Sequence, residues 1–130
     1  MVGSEGTLGV ITKLTLKLSG IPEAIAGGVC PFPSVEAACK ATIHTIQSGI
    51  PVARIELLDA LQVKAVNMHS KLGLPETPML FLEFHGTEAS VAEQSKRFGE
   101  IAGEFGGGSG TSVRSWSTYF QLLCGNPSVF

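Results

Sequence analysis

Charge is scarce in this sequence. Lys, Arg, Asp and Glu make up 15% of its 130 residues, and the nine basic ones are scattered without forming a run. A nucleic-acid binder needs a basic stripe or patch, so that class of partner is excluded. Long hydrophobic runs are missing too. The longest strongly apolar stretch, Met79 to Phe84, is interrupted by Glu83 and falls far short of the ~18 residues of a membrane-spanning helix. Cys30, Cys39 and Cys124 are odd in number and show no C-x-x-C spacing. That pattern argues against a disulfide framework or structural zinc, and for buried thiols in a reducing compartment. His44, His69 and His85 fall on three different predicted elements with no i, i+4 pair, so no metal site is expected.

What is present is apolar material. Hydrophobic residues reach 44% at a formal net charge of -2, the profile of one folded domain with a well-supplied core. The chain opens on Gly3, Ser4, Glu5, Gly6, Thr7 and Gly9, followed by Val10 and Ile11. Three glycines so close let backbone N–H groups converge on an anion, because no Cβ blocks the approach. Their spacing matches neither G-x-G-x-x-G nor a P-loop, and both a tight turn and a ligand-contacting loop fit the composition.

Residues 10–18 alternate apolar and polar, with Leu14, Leu16 and Leu18 set against Lys13, Thr15 and Lys17, which predicts a strand with one buried face. A linker at 19–22 leads to a strand over 24–32, where Gly27 and Gly28 mark a bulge or a close contact. Ser34 caps a helix over 35–48 whose apolar stripe is Val35, Ala38, Cys39, Thr42, Ile43 and Ile46. A strand over 52–57 puts Arg54 and Glu56 on one face and Ala53, Ile55 and Leu57 on the other. Asp59 and Gln62 form a capping pair for a helix over 60–71 with Leu61, Ala65, Met68 and Leu72 as its buried stripe and Met68 as core filler. The strand over 77–85 is apolar on nearly both faces, as a central strand covered by helices requires, and its lone Glu83 needs a partner. Ser90 and Glu93 suggest a second capping box before a stripe of Val91, Ser95, Phe98, Ala102 and Phe105 ending at Gly106. Thr111 to Trp116 is a possible last strand. With the helix over 60–71 set aside, the order is β-α-β-β-α-β, an α+β ferredoxin-like split arrangement with both main helices on one face of an antiparallel sheet.

Three stretches carry a resemblance. Gly-Ser-Glu-Gly-Thr-Leu-Gly-Val-Ile-Thr from Gly3, Ser-Gly-Ile-Pro-Val-Ala-Arg-Ile-Glu-Leu-Leu-Asp from Ser48, and Pro-Met-Leu-Phe-Leu-Glu-Phe-His-Gly from Pro78 resemble the FAD-linked oxidase family, that is, vanillyl-alcohol-oxidase-like flavoproteins. The family includes cytochrome-type D-lactate dehydrogenases and glycolate oxidase subunits, and the resemblance covers about residues 2–105. It implies that residues 1–20 end an FAD-binding domain, 21–118 form part of the cap domain over the flavin, and 119–130 are a tail. It also implies FAD as cofactor, contacted by Gly3, Ser4, Glu5, Gly6, Thr7, Gly9, Val10 and Ile11. The implied substrate is a D-2-hydroxy acid such as D-lactate, which is oxidised to pyruvate by hydride loss to the flavin. Electrons then pass to a carrier such as cytochrome c, in the mitochondrion.

The departures from the family matter equally. No aromatic-Arg stretch, Gly-His-x-Gly-Asp-Gly-Asn-x-His cluster or Glu-His-Gly signature occurs, so no catalytic or metal-binding residue is assigned to this chain. The expectation is a fragment of such a dehydrogenase that neither retains FAD nor turns over alone, with self-association through exposed apolar surface. Two competing readings are a free-standing ferredoxin-like binding or regulatory module without catalysis, and an interaction protein that dimerises through a sheet face.

Overall fold

The structure, a computed structural model, describes residues 1, 3–18 and 20–108. Strands and helices alternate: β1 (Ala24–Pro31), α1 (Val35–Gln47), β2 (Val52–Leu58), α2 (Ala60–Ser70), β3 (Met79–Gly86) and α3 (Glu88–Glu104). The fold is α+β, and the sheet order is β1-β3-β2 with both pairings antiparallel. β3 takes the centre because both of its faces are apolar. Leu80, Leu82 and Phe84 join the core cluster beneath α1 and α3, while Met79 and Phe81 pack with Val63 of α2 on the opposite face. Both main helices therefore share one face, and α2 covers part of the other. The element order through α3 follows the predicted arrangement. The possible strand at Thr111 to Trp116, and Cys124, lie outside the described residues.

Local chemistry sets the helix ends. Ser34 Oγ accepts the Ala37 N–H at 3.1 Å, and Glu36 in the first turn meets Lys40 at 2.7 Å. The Lys40 ammonium, hydrogen-bonded to Glu36, holds its carboxyl below the ordinary carboxylate value. α1 stops because Gly49, at φ 70°, turns left-handed, so that the Ile50 N–H reaches back to Thr45 O at 3.4 Å. At α2 the predicted capping pair is present in both directions: Gln62 N–H donates to Asp59 Oδ1 at 2.7 Å, and Asp59 N–H donates to Gln62 Oε1 at 3.3 Å. Asn67 then clamps the way out of this helix, donating to Leu74 O at 2.7 Å and accepting from Leu74 N–H at 2.9 Å.

Several expectations are corrected. Residues 10–18 form no ladder; Leu14 and Leu16 are each 65% exposed and Leu18 is 84% exposed. A strand exists only where another supplies its hydrogen bonds, and no described strand lies beside this one. On α1 the buried residues are Ala38, Ala41 and Thr45, whereas Val35, Cys39, Ile43 and Ile46 are exposed. Small side chains let the helix approach the sheet closely, and the larger apolar ones are left on its flank. On α2 the contact is Val63, and Met68 is 76% exposed rather than core filler. Apolar residues surround that helix, so the sheet face it meets selects which of them is buried. α3 begins three residues earlier than the expected Ser90 box, because Thr87 Oγ1 is the acceptor, taking the Ser90 N–H at 3.2 Å. Gly27 and Gly28 sit buried in a regular ladder, so they serve close packing; the bulge lies instead in β2, between Val52 and Arg54.

Candidate functional site

The opening loop is a self-satisfied turn. Gly3, Glu5 and Gly6 adopt φ of 79°, 47° and 82°, which explains two of the glycines by conformation alone. Thr7 donates to Ser4 O through both its N–H at 2.9 Å and its Oγ1 at 2.7 Å, and Ser4 N–H donates to Met1 O at 3.3 Å. A Cβ added at Gly3 or Gly6 would meet nothing within 4 Å, so the loop is not walled in. Gly9, Val10 and Ile11 continue it as exposed chain, and Ser4 is half-buried. The eight residues Gly3, Ser4, Glu5, Gly6, Thr7, Gly9, Val10 and Ile11 are thus contiguous and accessible, but no second element closes over them. Two described hollows, of about 160 and 280 Å³, are lined by other residues, and a cofactor pocket of ordinary size runs to ~300–1,000 Å³. The described residues do not by themselves fit a molecule the size of FAD.

A second constellation lies on the sheet face that α2 leaves partly bare. Met79, Phe81, Glu83 and His85 of β3 alternate onto that face, and the register sets Arg54 of β2 opposite Glu83. Gly27 of β1 stands across from Glu83 on the other side and contributes no side chain. Glu83 is hydrogen-bonded to His85 Nε2, and Arg54 Nε lies 3.9 Å from Glu56 Oε1. The predicted partner for Glu83 is therefore found, and so is the shared face of Arg54 and Glu56. Sequence reading had set His85 aside, although its i, i+2 spacing from Glu83 on one strand was the signal that pairs them. Chemically the cluster offers two carboxylates, a guanidinium and an imidazole on one surface, which suits proton exchange or ion pairing. Among the described residues no His, Cys, Asp and Glu group has the geometry of a metal site.

A third feature was missed. Cys39, Thr42 and Ile43 of α1, with Ile55 and Leu57 of β2 and Leu80 beneath, line the apolar hollow of about 280 Å³. Three residues of the stripe read as α1's buried face, Cys39, Thr42 and Ile43, form one wall of this groove, while Ala38 of the same stripe lies in the core.

Comparison with known proteins agrees with the fold. A probable mitochondrial D-lactate dehydrogenase of Danio rerio is 50% identical over 106 residues, covering 82% of this chain and 21% of that protein. The mitochondrial D-lactate dehydrogenase (cytochrome) of Arabidopsis thaliana is 48% identical over 107 residues, covering 82% and 19%. This chain spans about a fifth of the length of these relatives. Among solved structures, an alkyldihydroxyacetonephosphate synthase superposes with a TM-score of 0.68 at 18% identity, over 92% of this chain and 26% of that one, which is a likeness of fold. The family described as FAD linked oxidases, C-terminal domain, matches residues 21–121, and over that span, most of its length, the chain belongs to this family of domains, whose full-length enzymes use FAD.

Proposed function

We propose that this chain is the portion of an FAD-dependent dehydrogenase in which the end of the FAD-binding domain passes into the cap domain. The whole enzyme would oxidise a D-2-hydroxy acid, D-lactate to pyruvate, in the mitochondrion, with FAD accepting the hydride and a carrier such as cytochrome c taking the electrons. The observation that carries this reading is the 50% identity over 106 residues to a D-lactate dehydrogenase, which spans most of the described fold. Residues Gly3 to Ile11 would line one edge of the FAD site, whose other walls lie in parts of the enzyme beyond the described residues. The chain alone would then neither retain flavin nor oxidise D-lactate.

Transplanting residues 1–108 into the Arabidopsis thaliana relative, in place of the matching stretch, tests the reading. The chimera should fold with FAD and reduce cytochrome c when D-lactate is added. A folded chimera without flavin, or with flavin and no D-lactate-dependent reduction, would overturn it. The competing reading, a free-standing ferredoxin-like module, draws on the fact that the core beneath α1 and α3 buries Phe98, Leu80 and Leu82 without any contribution from the opening arm. That reading predicts a stable chain and an inactive chimera.

A further inference from the structure

We propose that residues 110–116 return along the outer edge of β1 as a fourth antiparallel strand, in the register that brings Arg114 over Gly27 toward Glu83. The occupant is this chain's own continuation beyond α3, and the proposal does not depend on the catalytic reading. One hydrogen bond shows which groups of β1 face that edge. Phe32 N–H donates to Pro78 O at 2.8 Å, and peptide groups alternate in direction along a strand, so Ala26, Gly28 and Cys30 bond to β3 while Ile25, Gly27, Val29 and Pro31 aim outward. Pro31 has no N–H to give on that side, and its C=O accepts the Gly108 N–H at 3.0 Å. Three glycines bring the chain there. Gly106 turns at φ 74°, Gly107 N–H donates to Ala102 O at 2.8 Å, and a Cβ on Gly108 would come within 3.2 Å of Pro31 Cγ. The chain therefore leaves α3 already making the first rung of a ladder on the open edge of β1.

Pairing Gly108 with Pro31 in an antiparallel ladder fixes the positions after it. Gly110 then faces Val29, Ser112 faces Gly27 and Arg114 faces Ile25 as hydrogen-bonded pairs, with Val113 opposite Ala26 between them. Ala26 packs against the core beneath α1 and α3, so Val113, the one aliphatic residue of the stretch, meets that apolar side. Ser112 and Arg114 fall on the other face, with Gly27, Glu83 and His85. A shift of one residue would turn Arg114 into the core and Val113 out of it, so hydrophobicity selects the register that the hydrogen bond starts. Charge agrees. On the three strands this face carries Arg54 beside Glu56 and Glu83, and the Glu83 side chain is only 14% exposed. Arg114 supplies a second guanidinium, and Gly27, which lies between Ser112 and Glu83 without a side chain, leaves room for it to cross β1.

Amide hydrogen exchange on the 130-residue chain, read residue by residue by NMR, tests this. The outward N–H groups of Ile25, Gly27 and Val29 should exchange as slowly as those of Ala26 and Gly28, and equally so at every protein concentration. With Cys39 and Cys124 changed to Ser, Ala24→Cys and Ser115→Cys should form a disulfide within one chain, because the register makes them a directly opposed, non-hydrogen-bonded pair. Ala24→Cys with Arg114→Cys, on opposite faces, should not. Arg114→Gln should raise the unfolding constant about fivefold in the natural sequence and leave it unchanged where Glu83 is already Gln. Fast exchange at Ile25, Gly27 and Val29, or protection there that grows with concentration and so comes from a second copy, would overturn the proposal. So would a disulfide from Arg114→Cys in place of Ser115→Cys, or an equal effect of Arg114→Gln in both backgrounds.

Discussion

Cys30 and Cys39 carry the same thiol into opposite surroundings. Cys30 is fully buried on β1, and burial pushes its thiol from 9.0 up to about 11, whereas Cys39 is exposed on α1. Cys39 should react with a thiol reagent at pH 8 in the folded chain, and Cys30 only on unfolding. The folded state holds the Cys30 proton until about pH 11 while the unfolded chain releases it near 9, so its contribution is intact below pH 9 and declines above. Stability should therefore fall as pH rises from 9 to 11, and Cys30→Ala should remove that slope in urea titrations. Phe98 is 0% exposed, and its ring lies 6.2 Å from that of Phe84. Phe98→Ala should cost about 3–5 kcal/mol, read from urea unfolding by circular dichroism. Leu61→Ala, at a position 74% exposed, should stay within about 0.5 kcal/mol.

At the scale of elements, the connection from α2 to β3 depends on one side chain. Asn67 makes two hydrogen bonds with Leu74, and Leu74 packs against the Val63, Met79 and Phe81 cluster. Asn67→Ala should destabilise by about 1–3 kcal/mol, because it leaves the half-buried amide and carbonyl of Leu74 without those bonds. Hydrogen exchange should show the loss at Leu74 while Leu82 of β3 stays protected. Gly49 ends α1 in left-handed backbone at φ 70° with open space around it, so Gly49→Ala should cost about 1 kcal/mol through strain alone, measured by thermal unfolding. Helix positions were readable from local signals such as Ser34, Asp59 and Gly49. Helix faces were less so: α2 presents apolar residues all round, and Val63, rather than Leu61 or Met68, is buried against the sheet.

At the scale of the whole molecule, the described residues form a closed core and an open arm. The core joins β1, β3 and β2 to α1 and α3, while Leu8, Val10, Ile11, Leu14, Leu16 and Leu18 stay exposed. Flavin absorbance after purification of the chain in excess FAD should be absent, because the opening loop has no opposing wall among the described residues. Co-purified FAD in stoichiometric amount would contradict the proposed division of the site. The weight-average mass of the purified chain, read by light scattering, should rise with concentration, because this apolar surface is exposed.

By itself the sequence determined the element types, their order, the α+β class and the family resemblance, because capping residues, glycine stops and period-2 or 3.6-residue patterns act over short stretches of chain. It also located the loop at Gly3 to Ile11 and the charges at Arg54, Glu56 and Glu83. Only the tertiary structure decided that His85 is the partner of Glu83, that small residues form α1's buried face, and that the larger stripe borders an open groove. Those outcomes depend on which surfaces meet. Burial and pairing are properties of two elements at once, so an apolar stripe or an alternating strand such as residues 10–18 states only what it could bury, and the neighbour that arrives, or fails to arrive, fixes the result.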